Sequence, residues 1–93
     1  MELNGLVVDD EGTQCWYQNG LRHRTDGPAM TWANGDQCWY QNDQLHREDG
    51  PAVVCADAFQ HWFLRGQMHT FDRWLGLTNV NDAQKLFLLL KYS

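Results

Sequence analysis

For its first two thirds the chain runs in short apolar-aromatic stretches separated by polar, glycine-containing breaks. Ala29–Ala33 and Gln37–Gln41 show the pattern: each is too short for a stable helix and rich in residues that suit a pleated surface. Asn34-Gly35 lies between them, and Asn-Gly fits a type I′ turn, which needs positive φ at both central residues. A two-residue turn there predicts a β-hairpin with Met30 opposite Trp39 and Thr31 opposite Cys38. One face would then carry Trp16, Trp39, Trp62, Met30, Trp32 and Val53. The other would carry Tyr17, Tyr40, Phe63, Cys15, Cys38, Val8 and Val54. A turn one residue longer would exchange some of these. Gly27-Pro28 and Gly50-Pro51 mark the return connections between hairpins.

From residue 70 the period changes. Thr70 is placed to cap a short helical turn through Trp74-Leu75, stopped at Gly76. Asn81 is placed to cap a second helix, with Asp82 in its first turn and Gln84 three residues on. Ala83, Leu86, Phe87 and Leu90 fall on one face at helical spacing, and Leu88 and Leu89 widen it. That breadth predicts a largely buried helix, with a buried strand over Leu86–Tyr92 as the alternative.

The hairpins repeat. Written in blocks of 23 from Gly12, the chain reads GTQCWYQNGLRHRTDGPAMTWAN, GDQCWYQNDQLHREDGPAVVCAD and AFQHWFLRGQMHTFDRWLGLTNV. Trp16, Trp39 and Trp62 share one position; His23, His46 and His69 share another. Asp26-Gly27-Pro28-Ala29 recurs as Asp49-Gly50-Pro51-Ala52, and Leu6-Val7-Val8 aligns with Ala29-Met30-Thr31. The expectation is a single domain over 1–93: hairpin repeats over 1–69 and a helical C-terminal cap over 70–93. Repeat stacks need capped ends, because a terminal unit leaves an edge and an apolar face uncovered.

Composition refines this picture. At 93 residues and 43% apolar content, the chain has the make-up of one small globular domain. Its longest apolar run, Leu86 to Leu90, is far short of a membrane span. The N-terminal stretch has no basic start followed by an apolar segment, so a cytoplasmic location is expected. The three cysteines, which cannot all pair within one chain, fit the same expectation. Net charge is −5 and unevenly spread: residues 1–60 hold ten acidic against three basic side chains. That balance disfavours direct nucleic-acid binding and an anionic membrane surface.

Candidate chemistry is sparse. Adjacent repeats lie two strands apart, about 9–10 Å, too far for equivalent histidines to share a metal or for Cys15 and Cys38 to form a disulfide. His23 and His46 are expected to bond backbone groups at the return turns or to face water, and the cysteines to serve as small buried hydrophobes. Arg24 and Arg47 are expected to pair with Asp26 and Asp49 of their own return turns or with the equivalent Asp of the neighbouring repeat. No nucleophile elbow, phosphate loop or zinc-protease motif is present, so no enzyme, metal or cofactor is expected. Two binding features stand out. The hairpin turns carry Asp9, Asp10, Glu11, Asp36 and Asp57, read as one position in successive units and so as an acidic edge able to steer a basic partner. The sheet also has more aromatic surface than one tail can cover, leaving the row Tyr17, Tyr40 and Phe63, or else the row Trp16, Trp39 and Trp62, for solvent, self-association or a partner.

The run W-Y-x-N-G-x-x-H followed by D-G-P-A, carried by Trp16-Tyr17, Asn19-Gly20, His23 and Asp26 to Ala29 and again by Trp39-Tyr40, Asn42, His46 and Asp49 to Ala52, resembles the MORN repeat family. The likeness covers residues 5 to about 69. The family's usual H-G-x-G is here His23-Arg24-Thr25-Asp26-Gly27-Pro28, and Asp43 stands where the first repeat has Gly20. This form is similar to a variant found in small proteins of tailed phages and some bacteria. The resemblance implies a mostly β fold, an elongated antiparallel sheet of stacked hairpins with a helical tail, and a scaffold or binding role. With the small size and acidic edge, it leads to the expectation of a non-catalytic protein-binding module, in its specific form a phage-encoded, anti-CRISPR-like inhibitor. Such a protein would occupy the basic nucleic-acid-binding surface of a host complex in the host cytoplasm. The alternatives are a self-associating scaffold, with a homodimer burying the spare aromatic row, and, less favoured by charge, a peripheral membrane binder.

Overall fold

The 23-residue spacing of the sequence reappears as a spacing of hydrogen bonds. The N–H groups of Trp16 and Trp39 donate to the carbonyls of Ala29 and Ala52, each at 2.7 Å. The N–H groups of His23 and His46 donate back to Trp16 and Trp39, each at 3.0 Å. The computed structural model describes residues 3–92.

Ten short strands precede two helices: β1 (Gly5–Val8), β2 (Gln14–Gln18), β3 (Leu21–Arg22), β4 (Met30–Thr31), β5 (Gln37–Cys38), β6 (Tyr40–Gln41), β7 (Gln44–Leu45), β8 (Val53–Val54), β9 (Gln60–Leu64), β10 (Gln67–His69), α1 (Phe71–Leu77) and α2 (Asp82–Tyr92). All strand pairs are antiparallel. Eight strands form one sheet in the order β1-β2-β4-β5-β8-β9-β10, with β3 turned back onto β2. β6 and β7 form a separate two-stranded ribbon, so the sheet is not continuous over every hairpin. The interruption falls at Trp39, between β5 and β6. The molecule measures 41 × 28 × 20 Å.

The hairpin register differs from the sequence expectation. Met30 opposes Cys38, and Thr31 opposes Gln37. The turn is one residue longer than Asn-Gly alone requires: Trp32 N–H donates to Asp36 O, Gly35 N–H donates to Trp32 O, and only Gly35, at φ +98°, is left-handed. This is a three-residue loop, a type I turn closed by a left-handed residue. The extra residue moves Met30, Trp32 and Val53 onto the face of Cys15, Tyr17 and Cys38, and moves Val8 and Val54 onto the tryptophan face. The two-residue turns with both central residues left-handed lie at the opposite ends of the strands, at Asn19-Gly20, Asn42-Asp43 and Arg65-Gly66.

The helices cover the tryptophan face at its last unit. Trp62, Trp74 and Leu88 are buried together, with Leu64, Phe71, Leu75, Val80 and Tyr92 packed around them. Trp74 is fully buried, and its Nε1–H donates to Arg47 O at 3.0 Å, which satisfies the one polar group its burial would strand. Thr70 caps α1 through Arg73 N–H, and the Asn81–Gln84 capping box of α2 closes in both directions at 3.1 and 2.8 Å. α1 runs through Gly76 to Leu77 instead of stopping at Gly76. The tail is two helices, and the strand alternative for Leu86–Tyr92 is set aside. The expected burial of the Ala83/Leu86/Phe87/Leu90 face of α2 is overturned: Leu86, Phe87 and Leu90 are exposed, and the helix buries Leu88. An unbroken run of five large apolar residues puts apolar groups all round a helix, and the narrow aromatic core takes only one side. Among the described residues, no helix is long and apolar enough to cross a membrane.

Candidate binding surface

Three loops of the same build, 9–13, 32–36 and 55–59, line one edge of the sheet. In each, the first residue exchanges backbone bonds with the fourth and fifth, as in Asp9 with Gly12 and Thr13 or Cys55 with Ala58 and Phe59. Neighbouring loops are close enough that a Cβ at Gly12 would meet Ala33, and one at Gly35 would meet Ala56, both at 3.7 Å.

All five acidic residues expected at the hairpin turns fall within these loops, but they do not share one position. Glu11 and Asp57 are equivalent, with Asn34 between them; Asp36 stands where the other units have Thr13 and Phe59. Three of the carboxylates are engaged in loop geometry. Asp9 Oδ1 accepts from the N–H groups of Glu11 and Thr13 at 2.9 and 3.0 Å. Asp36 Oδ1 accepts from Ala56 N–H at 2.7 Å, tying its loop to the next, while its Oδ2 accepts from Asn34 Nδ2 at 3.2 Å. Asp57 Oδ1 accepts from Phe59 N–H at 3.3 Å. Asp10 and Glu11 are exposed. A hydrogen-bonded carboxylate keeps its charge, so the edge still carries an acidic field.

Where this edge meets the sheet face lies a hollow of about 340 Å³. Its apolar lining comes from Trp32, Cys38, Val53 and Cys55, and Glu11 and Asp36 join it on the acidic side. The register places Trp32 here; with a two-residue turn it would have faced the other way. Trp32 and Cys55 were not legible as site residues in the sequence, and the signal that would have found them is the length of the loop between Trp32 and Asp36.

The cysteines are all free, with Cys15 and Cys38 buried. Burial pushes the Cys38 thiol up to about 11. Cys55 is also raised, by desolvation and then by the carboxylates of Asp36 and Asp57. Both shifts favour the neutral thiol, the opposite of what an activated nucleophile requires.

Tyr17 and Phe63 share the face of the hollow but lie two residues further along their strands than Cys15 and His61, about 7 Å away, and Tyr40 follows Cys38 by two residues across the break into the β6-β7 ribbon. All three are half-buried. The Arg22 guanidinium sits 4.1 Å from the Tyr40 ring centroid and is ion-paired with Asp43 of the next turn. Of the five acidic residues, Glu11 and Asp36 line the hollow, and Tyr17, Tyr40 and Phe63 do not.

His23 and His46 bond backbone. His23 Nδ1 accepts from Asn42 N–H and His46 Nδ1 from Arg65 N–H, each at 2.9 Å, so each ring holds the turn of the following unit. Among the described residues, no group of three or more His, Cys, Asp or Glu side chains could hold a metal ion. A second cleft of about 490 Å³ lies between the two return loops and the start of α2. Its two arginines are paired with carboxylates of the same cleft, Arg24 with Asp26 at 2.8 Å and Arg47 with Asp49 at 2.9 Å.

Comparison with protein-family models, with curated proteins and with solved structures finds no match to this chain.

Proposed function

We propose that this protein is a non-catalytic binding module that receives a basic side chain of a protein partner in the hollow at its acidic loop edge. One observation carries the reading: an apolar hollow formed by Trp32, Cys38, Val53 and Cys55 borders the carboxylates of Glu11 and Asp36. Arginine and lysine match that pairing, with an apolar stem for the hollow and a cationic head for the acidic side. Asp9, Asp10 and Asp57 on the flanking loops add a longer-range field that speeds encounter with a basic surface. A basic nucleic-acid-binding surface of a host complex has this chemistry. The recurrence of equivalent hydrogen bonds at 23-residue intervals supports reading the chain as a MORN-type stack, a scaffold suited to display rather than catalysis.

The test is an NMR titration with an Arg/Leu-rich peptide, read at the Trp32 indole N–H. Binding is expected to weaken at least tenfold between low and moderately high salt. Asp10→Asn with Glu11→Gln, at two exposed side chains of the loop edge, is expected to weaken it several-fold. Affinity unchanged by both salt and the double substitution would rule the reading out.

A further inference from the structure

The five arginines divide into two kinds. Arg22, Arg24 and Arg47 are each ion-paired with an aspartate, and each lies over an aromatic ring. Among the described residues, Arg65 and Arg73 have neither a carboxylate partner nor a ring beneath them. These two line one cleft of about 400 Å³, between the β9–β10 turn and α1. His69 lines it with them. The rings of His23 and His46 each hold the turn of the following unit, but for His69 that turn would fall at Leu88, inside α2. Among the described residues the His69 ring has no hydrogen-bond partner. Both arginines depart from the repeat. Arg65 stands where the first two units have Asn19 and Asn42, and it keeps their left-handed backbone at φ +52°, which suits asparagine better than a long side chain. Arg73 stands where they have Gly27 and Gly50. In a chain of net charge −5, two unpaired guanidinium groups thus share one cleft.

We propose that this cleft binds the carboxylate of an apolar organic acid, held between Arg65 and Arg73 with its carbon chain against Leu64 and Leu77, which also line the cleft. Guanidinium groups match a carboxylate through paired N–H donors, and the His69 ring supplies one more. The charge count selects a monoanion. The cleft's one carboxylate is Glu48, so its two arginines leave an excess of one positive charge. Glu48 is turned toward His46. Since His46 Nδ1 accepts from Arg65 N–H, its neutral ring carries the proton on Nε2, and that nitrogen lies 3.5 Å from Glu48 Oε1. A dianion such as a phosphate monoester would bring one charge too many beside Glu48. No residue is shared with the hollow at the acidic loop edge, so the two sites are independent.

An NMR titration of the full chain with N-acetyl-leucine tests this, read at the Nε–H signals of Arg65 and Arg73 and at the His69 ring. Saturable shifts with a millimolar Kd are expected for so small a ligand. N-acetyl-leucinamide, which lacks the charge, should give none. Isobutyl phosphate, chiefly a dianion above neutral pH, should bind more weakly. Arg65→Asn, which restores the residue of the first two units, and Arg73→Gln should each weaken binding about tenfold, with unchanged circular dichroism. The double variant should not saturate. Lys91→Gln removes the same charge outside the cleft and should change nothing. A peptide ending in leucine distinguishes the source: tighter binding than the acetylated residue identifies a chain terminus, equal binding a free acid, and either upholds the site. Absence of saturable shifts, equal binding of the amide, or affinity untouched by the double substitution would overturn the site. Tighter binding of the phosphate would overturn the carboxylate assignment.

Discussion

The guanidinium of Arg47 lies over the indole of Trp39, 4.0 Å from the ring centroid. Arg24 repeats the contact on Trp16 at 4.7 Å. In the third unit Thr70 stands at the arginine's position, and Trp62 is covered by Trp74 and Phe71, with centroids 4.5 and 4.7 Å away. The tryptophan face is thus closed by arginines over two units and by the helical tail over the last. The Arg47–Asp49 ion pair contributes little by itself, since Asp49 is largely exposed. It matters for position: together with the Arg47 Nη1–H bond to Pro51 O at 3.1 Å, it holds the guanidinium over the ring.

That stack explains the glycine of the Asp-Gly-Pro-Ala turns. A Cβ at Gly50 would lie 2.7 Å from Arg47 Cζ, and one at Gly27 would lie 3.0 Å from Arg24 Cζ. Arg47 cannot yield without leaving Trp39, Asp49 and Pro51 together. Gly50→Ala is expected to cost about 1–3 kcal/mol in urea unfolding, and Gly27→Ala less.

Ala58 has a left-handed backbone, φ +75°, where the equivalent loops have Gly12 at +85° and Gly35 at +98°. A Cβ is disfavoured there by about 1 kcal/mol. Ala58→Gly should therefore raise the melting temperature by about 4–8 °C, and Gly35→Ala should lower it by a similar amount. Differential scanning calorimetry of both variants checks the pair.

The buried Cys38 thiol rises from 9.0 to about 11. A folded chain that keeps this proton longer than the unfolded chain is fully stabilised below pH 9 and loses that stability as pH climbs toward 11. The loss from this group is of the order of 2–3 kcal/mol. Tyr40, also raised by burial, pushes in the same direction. Urea midpoints should fall over this alkaline window, and Cys38→Ala should reduce the slope. At pH 8, maleimide should label half-buried Cys55 well before Cys38.

Much of the architecture is a consequence of local chemistry and could be read from the chain. The 23-residue recurrence, the Arg-Asp pairing of the return turns, the Thr70 cap and the Asn81–Gln84 box each depend on residues near in sequence, or on equivalents brought side by side by a fixed repeat length. The acidic loops are legible for the same reason. Their assembly with Trp32 is not, because it turns on whether the loop after Trp32 holds two residues or three. Since strand side chains alternate, that single residue sends Met30, Trp32 and Val53 to the opposite face.

What the amino-acid sequence determines alone, then, is the unit and its spacing, because turn preference and alternation act over a few residues. What tertiary structure decides is direction. Leu86, Phe87, Leu88 and Leu90 are near-equal in hydrophobicity, and nothing local ranks them. Only the position of Trp62 and Trp74, reached from strands and a helix distant in sequence, selects Leu88 for the interior and leaves the other three outside.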